Sequence, residues 1–338
     1  MKFYVVSPFS GSMKKLRERL GPSWNVYLWK IFTLGGARTF KSKVLLILEE
    51  IINFIRLVFD PGMYGKDRAI ICEGCQFSVL LFGKWLQFIQ APKPIYILTF
   101  FIHAPYNNKS LLKILGFLLD QKVGLTAFSA SDRDYFKGIG PAVDVRFSPY
   151  AAEIHLKKDL SQVKQGDYVF TGGYTNRDYD FLIRCAEKIP RQQFTIVCSH
   201  LNKITMTVPA NVEILKDIHP DKFYELLAAC KVNVIPLKSN VGASGQSVAV
   251  AAMQFAKPTL YPDFGIVSQY FTDGVSGLMY KSGDADSFVS ILNSVLEDAV
   301  RRAEIGNAAQ QSWKRDFKQE RFEDDIFEHL KEFFGVRV

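Results

Sequence analysis

The chain has 338 residues, of which 48% are hydrophobic and 22% are charged, and its formal net charge is +8. This length and apolar content predict two domains of about 150 residues and exclude an intrinsically disordered protein. Residues 1–165 hold 23 Lys and Arg against 12 Asp and Glu (+11), whereas the remainder holds 19 against 22 (−3). The basic amino-terminal half is therefore expected to attract an anionic surface, either a membrane or a nucleic acid.

The cysteines and the apolar runs indicate the cellular compartment of the protein. The spacing of the five cysteines fits neither a disulfide framework nor a zinc site, which indicates reduced thiols in an intracellular protein. The sequence starts directly on a predicted strand, so no signal peptide is expected. Charged residues such as Glu49 and Arg56 interrupt the longest apolar run, which stays below the roughly 18–20 residues needed to cross a bilayer. We expect a cytoplasmic protein that is soluble or attached to a membrane surface.

In chain order, the first element is a strand over residues 2–7, followed by a glycine- and serine-containing loop and a basic helix over residues 13–20. This order is typical of a doubly wound α/β domain, in which such a loop lies at the ligand-binding edge of the sheet. The loop contains Gly11 and Ser12 but lacks a Gly-x-Gly-x-x-Gly fingerprint, so it gives little support to a nicotinamide cofactor. Whether this loop contacts a substrate is left open by the sequence.

Two segments of the basic half are strongly apolar. Residues 43–59 are predicted to form a helix with only a few polar residues, and residues 110–119 form a second apolar helix that carries Lys113 and follows Lys109. Basic residues beside an apolar helix face are typical of a helix at a membrane interface. A helix buried against a sheet is the commoner cause of the same pattern, and the sequence leaves both explanations open.

Two further strands of this half end in polar residues. The strand over residues 68–73 ends in Cys72-Glu73-Gly74-Cys75, whose cysteine spacing suggests a redox pair. A thioredoxin-type pair opens a helix in a distinct βαβ unit, so two reduced, partly buried thiols are the simpler interpretation. Glu73 itself stands at the sheet edge, where it could contact substrate hydroxyls. His103 follows the strand over residues 94–102 in a similar position, although a lone histidine is more often structural.

The acidic half begins with a loop suited to an anion. Residues 167–179 are predicted to form a strand, the turn Gly172-Gly173 and the start of a helix. Arg177 lies at that helix start, where a guanidinium can bind a pyrophosphate in a bidentate contact. A solvated arginine at a helix start is the alternative.

A second loop of this kind follows the apolar strand over residues 232–237. Small residues, including Ser244, Gly245 and Ser247, separate this strand from an alanine-rich segment with strong helix propensity. The free amides of such a helix start, together with the positive end of its dipole, favour an anion. An ordinary capped helix would show the same pattern.

Three further motifs follow in order: Ala252-Met253, Lys257-Pro258, and Asp273-Gly274 with Gly277-Leu278. This order resembles the donor-binding half of family 4-like glycosyltransferases of the GT-B fold (glycosyl transferases group 1). The resemblance implies an α/β protein with two doubly wound, Rossmann-like domains that face a cleft. We expect an acceptor-binding domain over residues 1–160, a nucleotide-sugar-binding domain over residues 161–310, and a carboxyl-terminal helix, residues 311–338, that crosses back to the first domain.

The resemblance also implies roles for single residues. His103 is expected to hydrogen-bond the donor sugar, and Arg177 and Lys238 to stabilise the departing diphosphate. Other donor-binding groups, including the backbone near Ile218 that reads the base, are Gly172, Gly173, Ile218, Ser244, Gly245, Gln246 and Ser247. The acceptor side is expected to hold Gly11, Ser12 and Glu73. The chain departs from the family at its two acidic positions, which fall on Ala243 and Ala251, and neither alanine can bind a sugar hydroxyl.

The sequence thus predicts a glycosyltransferase that moves a sugar from a nucleotide-diphosphate sugar to a glycan or lipid-linked acceptor at the cytoplasmic face of the membrane. The resemblance implies retention of anomeric configuration. Neither a cofactor nor a metal is expected. An anionic membrane surface is an expected partner and nucleic acid is not. Two alternatives are a nucleotide-sugar 2-epimerase of GT-B fold and a non-catalytic basic module that binds membranes or nucleic acid.

Overall fold

The computed structural model describes residues 2–7, 25–30, 40–65, 67–72, 77–98, 109–140, 143–156, 162–239 and 244–335. Within these residues the chain forms two sheets of six strands each, and every strand pair is parallel. Contacts divide the chain into one unit of residues 1–149 with 323–338 and a second of residues 150–322. The predicted α/β fold with two doubly wound sheets is confirmed.

The sheet of the first unit has the strand order β2-β1-β3-β4-β5-β6. Its strands are β1 (Lys2–Ser7), β2 (Asn25–Lys30), β3 (Arg68–Cys72), β4 (Ile95–Ile97), β5 (Val123–Ala127) and β6 (Asp144–Phe147). Its helices are α1 (Phe40–Val58), α2 (Phe77–Phe88), α3 (Lys109–Leu119) and α4 (Ala130–Ile139), with a 3₁₀ turn at Pro61–Tyr64. All five residues of β5 are buried, as expected of a parallel strand covered on both faces.

The last helix of the chain belongs partly to this first unit. It is α10 (Gln319–Phe334), and the Phe334 ring packs edge-on against the Phe3 ring with centroids 5.1 Å apart. The neighbouring Phe333 ring contacts Tyr96 in the same manner at 5.3 Å. These contacts pack aromatic rings of α10 against residues of β1 and β4.

The second unit has the strand order β12-β11-β10-β7-β8-β9. Its strands are β7 (Tyr168–Gly172), β8 (Gln193–Cys198), β9 (Val212–Lys216), β10 (Val232–Val234), β11 (Thr259–Pro262) and β12 (Leu278–Tyr280). Its helices are α5 (Tyr179–Glu187), α6 (Pro220–Ala229), α7 (Gln246–Gln254), α8 (Ala285–Glu297) and α9 (Ala299–Ser312), with a 3₁₀ turn at Ile266–Gln269. The strand order reverses between β7 and β10, so the carboxyl ends of these two strands form the topological switch point where ligands bind in such sheets.

The predicted carboxyl-terminal helix, residues 311–338, is interrupted. A π-helical turn, Trp313–Phe317, follows α9, and Lys318 then has the extended conformation (φ −66°, ψ 146°) before α10 begins. The aromatic residues before the interruption pack in the second unit. Trp313 and Phe317 are buried in the second unit, where Trp313 Nε1 donates to the Ala152 carbonyl at 3.0 Å and Phe317 stacks on Tyr270.

The two apolar helices of the basic half are present, as α1 and α3, and neither is fully buried. None of the helices in the described ranges is both long enough and apolar enough to cross a membrane. Cys72, Cys185, Cys198 and Cys230 are all buried, whereas Cys75 lies outside the described residues.

Candidate functional site

The candidate site is built on the two segments that leave the switch point, one after β7 and one after β10. These segments are joined to each other by backbone hydrogen bonds: the Asp178 amide donates to the Pro236 carbonyl at 3.0 Å, and the Lys238 amide donates to the Asn176 carbonyl at 3.1 Å. Between them Arg177 and Leu237 form an isolated antiparallel bridge. The two predicted cations, Arg177 and Lys238, therefore lie on adjacent, mutually fixed backbones.

Side chains reinforce this pairing of segments. The amide Nδ2 of Asn176 donates to the Ser239 carbonyl at 2.7 Å, and the Ser239 hydroxyl lies 3.1 Å from Asn176 Oδ1. Asn176 has a positive φ of 54°, a conformation that asparagine tolerates better than most residues. The loop is thus held in one conformation, which is what a preorganised ligand site needs.

Arg177 is 5% exposed, and its guanidinium lies inside the loop. Its Nε donates to the Gly172 carbonyl at 3.0 Å and its Nη1 donates to the Thr175 carbonyl at 2.7 Å. Among the described residues no carboxylate forms an ion pair with it, and burial lowers its pKa. A buried guanidinium without a counter-charge is costly, and an anion bound beside it would offset that cost.

Gly173 and Arg177 fit each other closely. Gly173 has φ +119°, and a Cβ built on it would lie 2.6 Å from Nη2 of Arg177. Any side chain at Gly173 would therefore displace the guanidinium as well as strain the backbone. Behind the turn, Gly172 faces the ring of Phe223 in α6, which itself packs edge-on against Phe170 at 5.3 Å.

The other half of the site is the amino-terminal end of α7. Gly245 precedes this helix with φ +91°, and having no side chain it supplies no capping acceptor to the first-turn amides. Ser244 and Gln246 are buried at 4% and 5% exposure, whereas Ser247 is exposed. The helix start and its dipole thus favour an anion at the same switch point as Arg177.

Lys238 differs from Arg177 in being exposed. Its backbone is fixed by the bond to Asn176, while its ammonium faces solvent and can follow a ligand. The two cations therefore differ in kind: one supports the loop from within, and the other is free to move towards a phosphate.

Ile218 is half-buried and lies between β9 and α6. The residue before it, Asp217, has a positive φ of 50° and accepts hydrogen bonds from the His200 amide at 2.9 Å and from His200 Nδ1 at 2.6 Å. These bonds lower the pKa of Asp217. Sequence reasoning missed this His200–Asp217 pair because its members lie 17 residues apart on separate loops.

Several predicted site residues fall outside the described part of the chain. His103, Gly11, Ser12 and Glu73 are in this group, as is Ala243. The described neighbours of the acceptor-side residues are the ends of β1 and β3, Ser7 and Cys72. The second departure from the family motif, Ala251, is fully buried in α7.

A comparison with protein families gives one match. Residues 204–312 match glycosyl transferases group 1. All of the matched residues lie within the second unit. The matched residues include α7 and the turn at Asp273–Gly277, so the family resemblance seen in the sequence is confirmed. A search of curated proteins found no match.

Solved structures with the same fold include several glycosyltransferases. Sucrose-phosphate synthase of Thermosynechococcus elongatus is similar with a TM-score of 0.70 at 13% identity, covering 100% of both chains. Anabaena HepE in complex with UDP-glucose gives a TM-score of 0.65 at 16% identity, covering 98% of this chain and 100% of that one. A UDP-forming trehalose-phosphate synthase of Burkholderia xenovorans gives 0.65 at 10% identity, with both chains fully covered. At these identities the likeness establishes the GT-B fold.

Proposed function

We propose that this protein is a glycosyltransferase that transfers a sugar from a nucleotide-diphosphate sugar to a glycan or lipid-linked acceptor. The observation that carries the proposal is Arg177, a buried guanidinium without a carboxylate partner among the described residues, at the same switch point as the amino-terminal end of α7. A pyrophosphate carries the charge that both groups favour. The complex of HepE, a protein of the same fold, with UDP-glucose supports this donor class.

The same groups suit the departure of the diphosphate during sugar transfer. When the bond between the anomeric carbon and the phosphate oxygen breaks, negative charge develops on the diphosphate. The α7 amides, Arg177 and Lys238 can stabilise that charge. Since these groups already supply the positive charge, we propose that transfer requires neither a metal ion nor a cofactor. Retention of configuration rests on the family resemblance, and in that mechanism His103 would hydrogen-bond the donor sugar.

A membrane-held acceptor is the finer part of the proposal. Helices α1, α2 and α3 belong to the basic unit. In this unit α1 packs on α2, and α2 packs on α3. Their outward apolar side chains form what we call the apolar face: Ile47, Ile51 and Ile55 on α1, with Phe59 directly after it; Leu81 and Phe88 on α2; Ile114 and Phe117 on α3. Phe59 is 79% exposed, Phe88 80% and Phe117 62%. Large exposed apolar patches of this kind mark interaction surfaces.

Basic side chains accompany the apolar face. Lys113 is exposed on α3, and the ammonium of Lys84 on α2 lies 4.9 Å from the centroid of the Phe117 ring. An apolar helix face flanked by lysines inserts shallowly into an anionic bilayer, with the charges at the headgroups. We therefore propose peripheral attachment to the cytoplasmic face of the membrane through α1, α2 and α3.

The donor part is tested by incubating the protein with a panel of sugar nucleotides and measuring release of free nucleoside diphosphate. A transferase releases the diphosphate and increases its rate when acceptor-containing membranes are added. Conversion of the sugar nucleotide into its epimer with the diphosphate retained would contradict the proposal and favour the epimerase. No chemical change with any donor would favour the non-catalytic module.

A further inference from the structure

The second unit contains a cavity of about 500 Å³ at the edge of the sheet opposite the donor loops. It lies where β7, β10 and β11 begin, beside the start of α9, and we call it the amino-edge cavity. The residues that matter for its chemistry are Gln165, Asp167, Lys231, Lys257 and Arg302. Its volume is within the range of small-molecule sites, roughly 300–1,000 Å³. Every lining residue belongs to the second unit, and none is a donor-site residue.

Lys257 is the buried charge of this cavity. It is 9% exposed, and its ammonium donates to Gln165 Oε1 at 2.6 Å and to the Cys230 carbonyl at 2.9 Å. Both acceptors are neutral, and an ammonium has three N–H donors, so one donor is left for a ligand. Burial lowers the pKa of Lys257, and in the described part of the chain no carboxylate pairs with it.

Arg302 supplies a second cation with spare donors. Its Nη1 donates to the carbonyls of Val295 at 3.0 Å and Leu296 at 2.8 Å, which holds the guanidinium at the end of α8. Its Nε and Nη2 have no acceptor among the described residues, and no carboxylate of those residues pairs with it. A guanidinium fixed at one nitrogen presents its remaining donors in a defined direction.

The balance of charge around the cavity selects the ligand. Lys231 is paired with Asp167 at 2.5 Å, so three cations face one carboxylate and the lining carries a net charge of +2. A phosphate monoester carries about −1.5 to −2 at neutral pH, and it has three acceptor oxygens, whereas a monocarboxylate carries −1. The cavity is also larger than inorganic phosphate needs.

We propose that the amino-edge cavity binds a small phosphate monoester, whose phosphate contacts Lys257 and Arg302 and whose organic part fills the remaining volume. The site is separate from the donor site and does not depend on the proposed transfer reaction. A ligand there would contact the segments that lead into β7, β10 and β11, the strands that support the donor loops at their other ends.

The test is calorimetric titration of the intact protein with glycerol phosphate and with inorganic phosphate at constant ionic strength. Lys257→Gln and Arg302→Gln are each expected to weaken glycerol phosphate binding about ten- to a hundredfold, because each removes a charged hydrogen-bond donor. Asp167→Asn is expected to tighten it, since it removes the one negative charge of the lining. Arg301→Gln, one residue away on α9 and outside the lining, is the matched control and should bind as the parent protein does.

Two results would overturn the proposal. One is unchanged affinity for glycerol phosphate in both Lys257→Gln and Arg302→Gln. The other is equal affinity for glycerol phosphate and inorganic phosphate, which would show that the organic part of the ester is not recognised. Circular dichroism checks that each variant folds. If Lys257→Gln fails to fold, Asp167→Asn still tests the proposal, because the Asp167 side chain is 76% exposed and its replacement should not disturb the fold. Crystals soaked in arsenate, an anomalous scatterer, should show a peak between Lys257 and Arg302, and peaks elsewhere alone would count against the site.

Discussion

The Nε of Arg177 donates to the carbonyl oxygen of Gly172 at 3.0 Å, so the residue expected to bind the pyrophosphate also closes the loop that would receive it. Arg177→Ala should weaken binding of the nucleoside diphosphate by about 1.5–3 kcal/mol, the usual loss when a hydrogen bond to a charged group is removed. It should also lower the free energy of unfolding, since two carbonyls lose a buried donor. Calorimetry with UDP or GDP and urea unfolding measure the two effects.

Arg177→Lys separates the charge from the loop contacts. A lysine retains the positive charge but lacks the planar fork that serves Gly172 and Thr175. We expect part of the binding to return and the loss of stability to remain. Nucleotide affinity equal to the parent protein in Arg177→Ala would exclude Arg177 from the donor site.

Gly245 is the second residue on which the donor site depends. Gly245→Ala adds a Cβ 2.7 Å from Val267 Cγ2 and 2.9 Å from Ile235 Cγ2 in a backbone with φ +91°. The strained φ and the overpacking should together lower the free energy of unfolding by about 2–5 kcal/mol and displace the α7 amides. Gly283→Ala is the matched control, because Gly283 has φ +73° and no atom within 4 Å of the added Cβ.

Gly283→Ala should lower the free energy of unfolding only by the cost of the strained backbone, about 1–2 kcal/mol. It should leave nucleotide binding unchanged. Chemical unfolding and calorimetry on both variants give the comparison. If Gly283→Ala and Gly245→Ala lost the same stability and affinity, close packing at Gly245 would have no part in the donor site.

Lys238 offers a kinetic prediction, because it is exposed and its truncation should not disturb the fold. If its ammonium stabilises the departing diphosphate, Lys238→Ala lowers kcat about 10- to 100-fold and kcat/KM by a similar factor. The unfolding midpoint should stay unchanged. Lys281→Ala, another exposed lysine of the same unit, is the control. A rise in KM at constant kcat would assign Lys238 to ground-state binding instead.

The sequence predicted the loops and helices of the second unit better than it predicted the contacts between its donor-site residues. The Gly172-Gly173 turn and the loop before α7 follow from local patterns of glycine, serine and alanine, which act over a few residues. That Arg177 pairs with Leu237 follows from β7 and β10 being neighbours, which a local pattern does not encode. The interruption at Lys318 escaped prediction for a related reason: apolar periodicity continues through it, while packing of Trp313 and Phe317 ends the first helix.

His329 on α10 gives a prediction about pH. Its Nδ1 is buried without a hydrogen-bond partner among the described residues, and burial lowers its pKa below the ordinary value of 6.5, with Arg146 acting in the same direction and Asp325, Glu332 and Asp144 opposing. The unfolded chain therefore binds a proton more readily than the folded one. Stability should be fully present above about pH 6.5 and decrease as the pH falls below it.

His329→Gln should reduce this decrease, as urea unfolding at pH 7.5 and pH 5.5 would measure. The control is His155→Gln, which changes an exposed histidine and should retain the pH dependence of the parent protein. An identical loss of stability on acidification in His329→Gln and in the parent protein would show that other groups are responsible.

The apolar face of α1, α2 and α3 gives the last prediction. The double variant Phe88→Glu with Phe117→Glu puts two carboxylates where shallow insertion requires apolar rings, and both positions are more than half exposed, so the fold should tolerate them. We expect at least a tenfold loss of binding to vesicles that contain anionic lipid, measured by co-sedimentation. Val275→Glu, which changes an exposed valine of the second unit, supplies a control that changes charge away from this face.

The contributions of charge and apolar contact can be separated on the same vesicles. Lys113→Glu should weaken binding to anionic vesicles at low salt, and raising the salt should reduce the difference from the parent protein, because salt screens exposed charges. The apolar double variant should stay weak at every salt concentration, since insertion does not depend on screening. Equal pelleting of the parent protein with neutral and anionic vesicles would refute the electrostatic part. Pelleting with neither would refute membrane attachment through this face and favour a soluble acceptor.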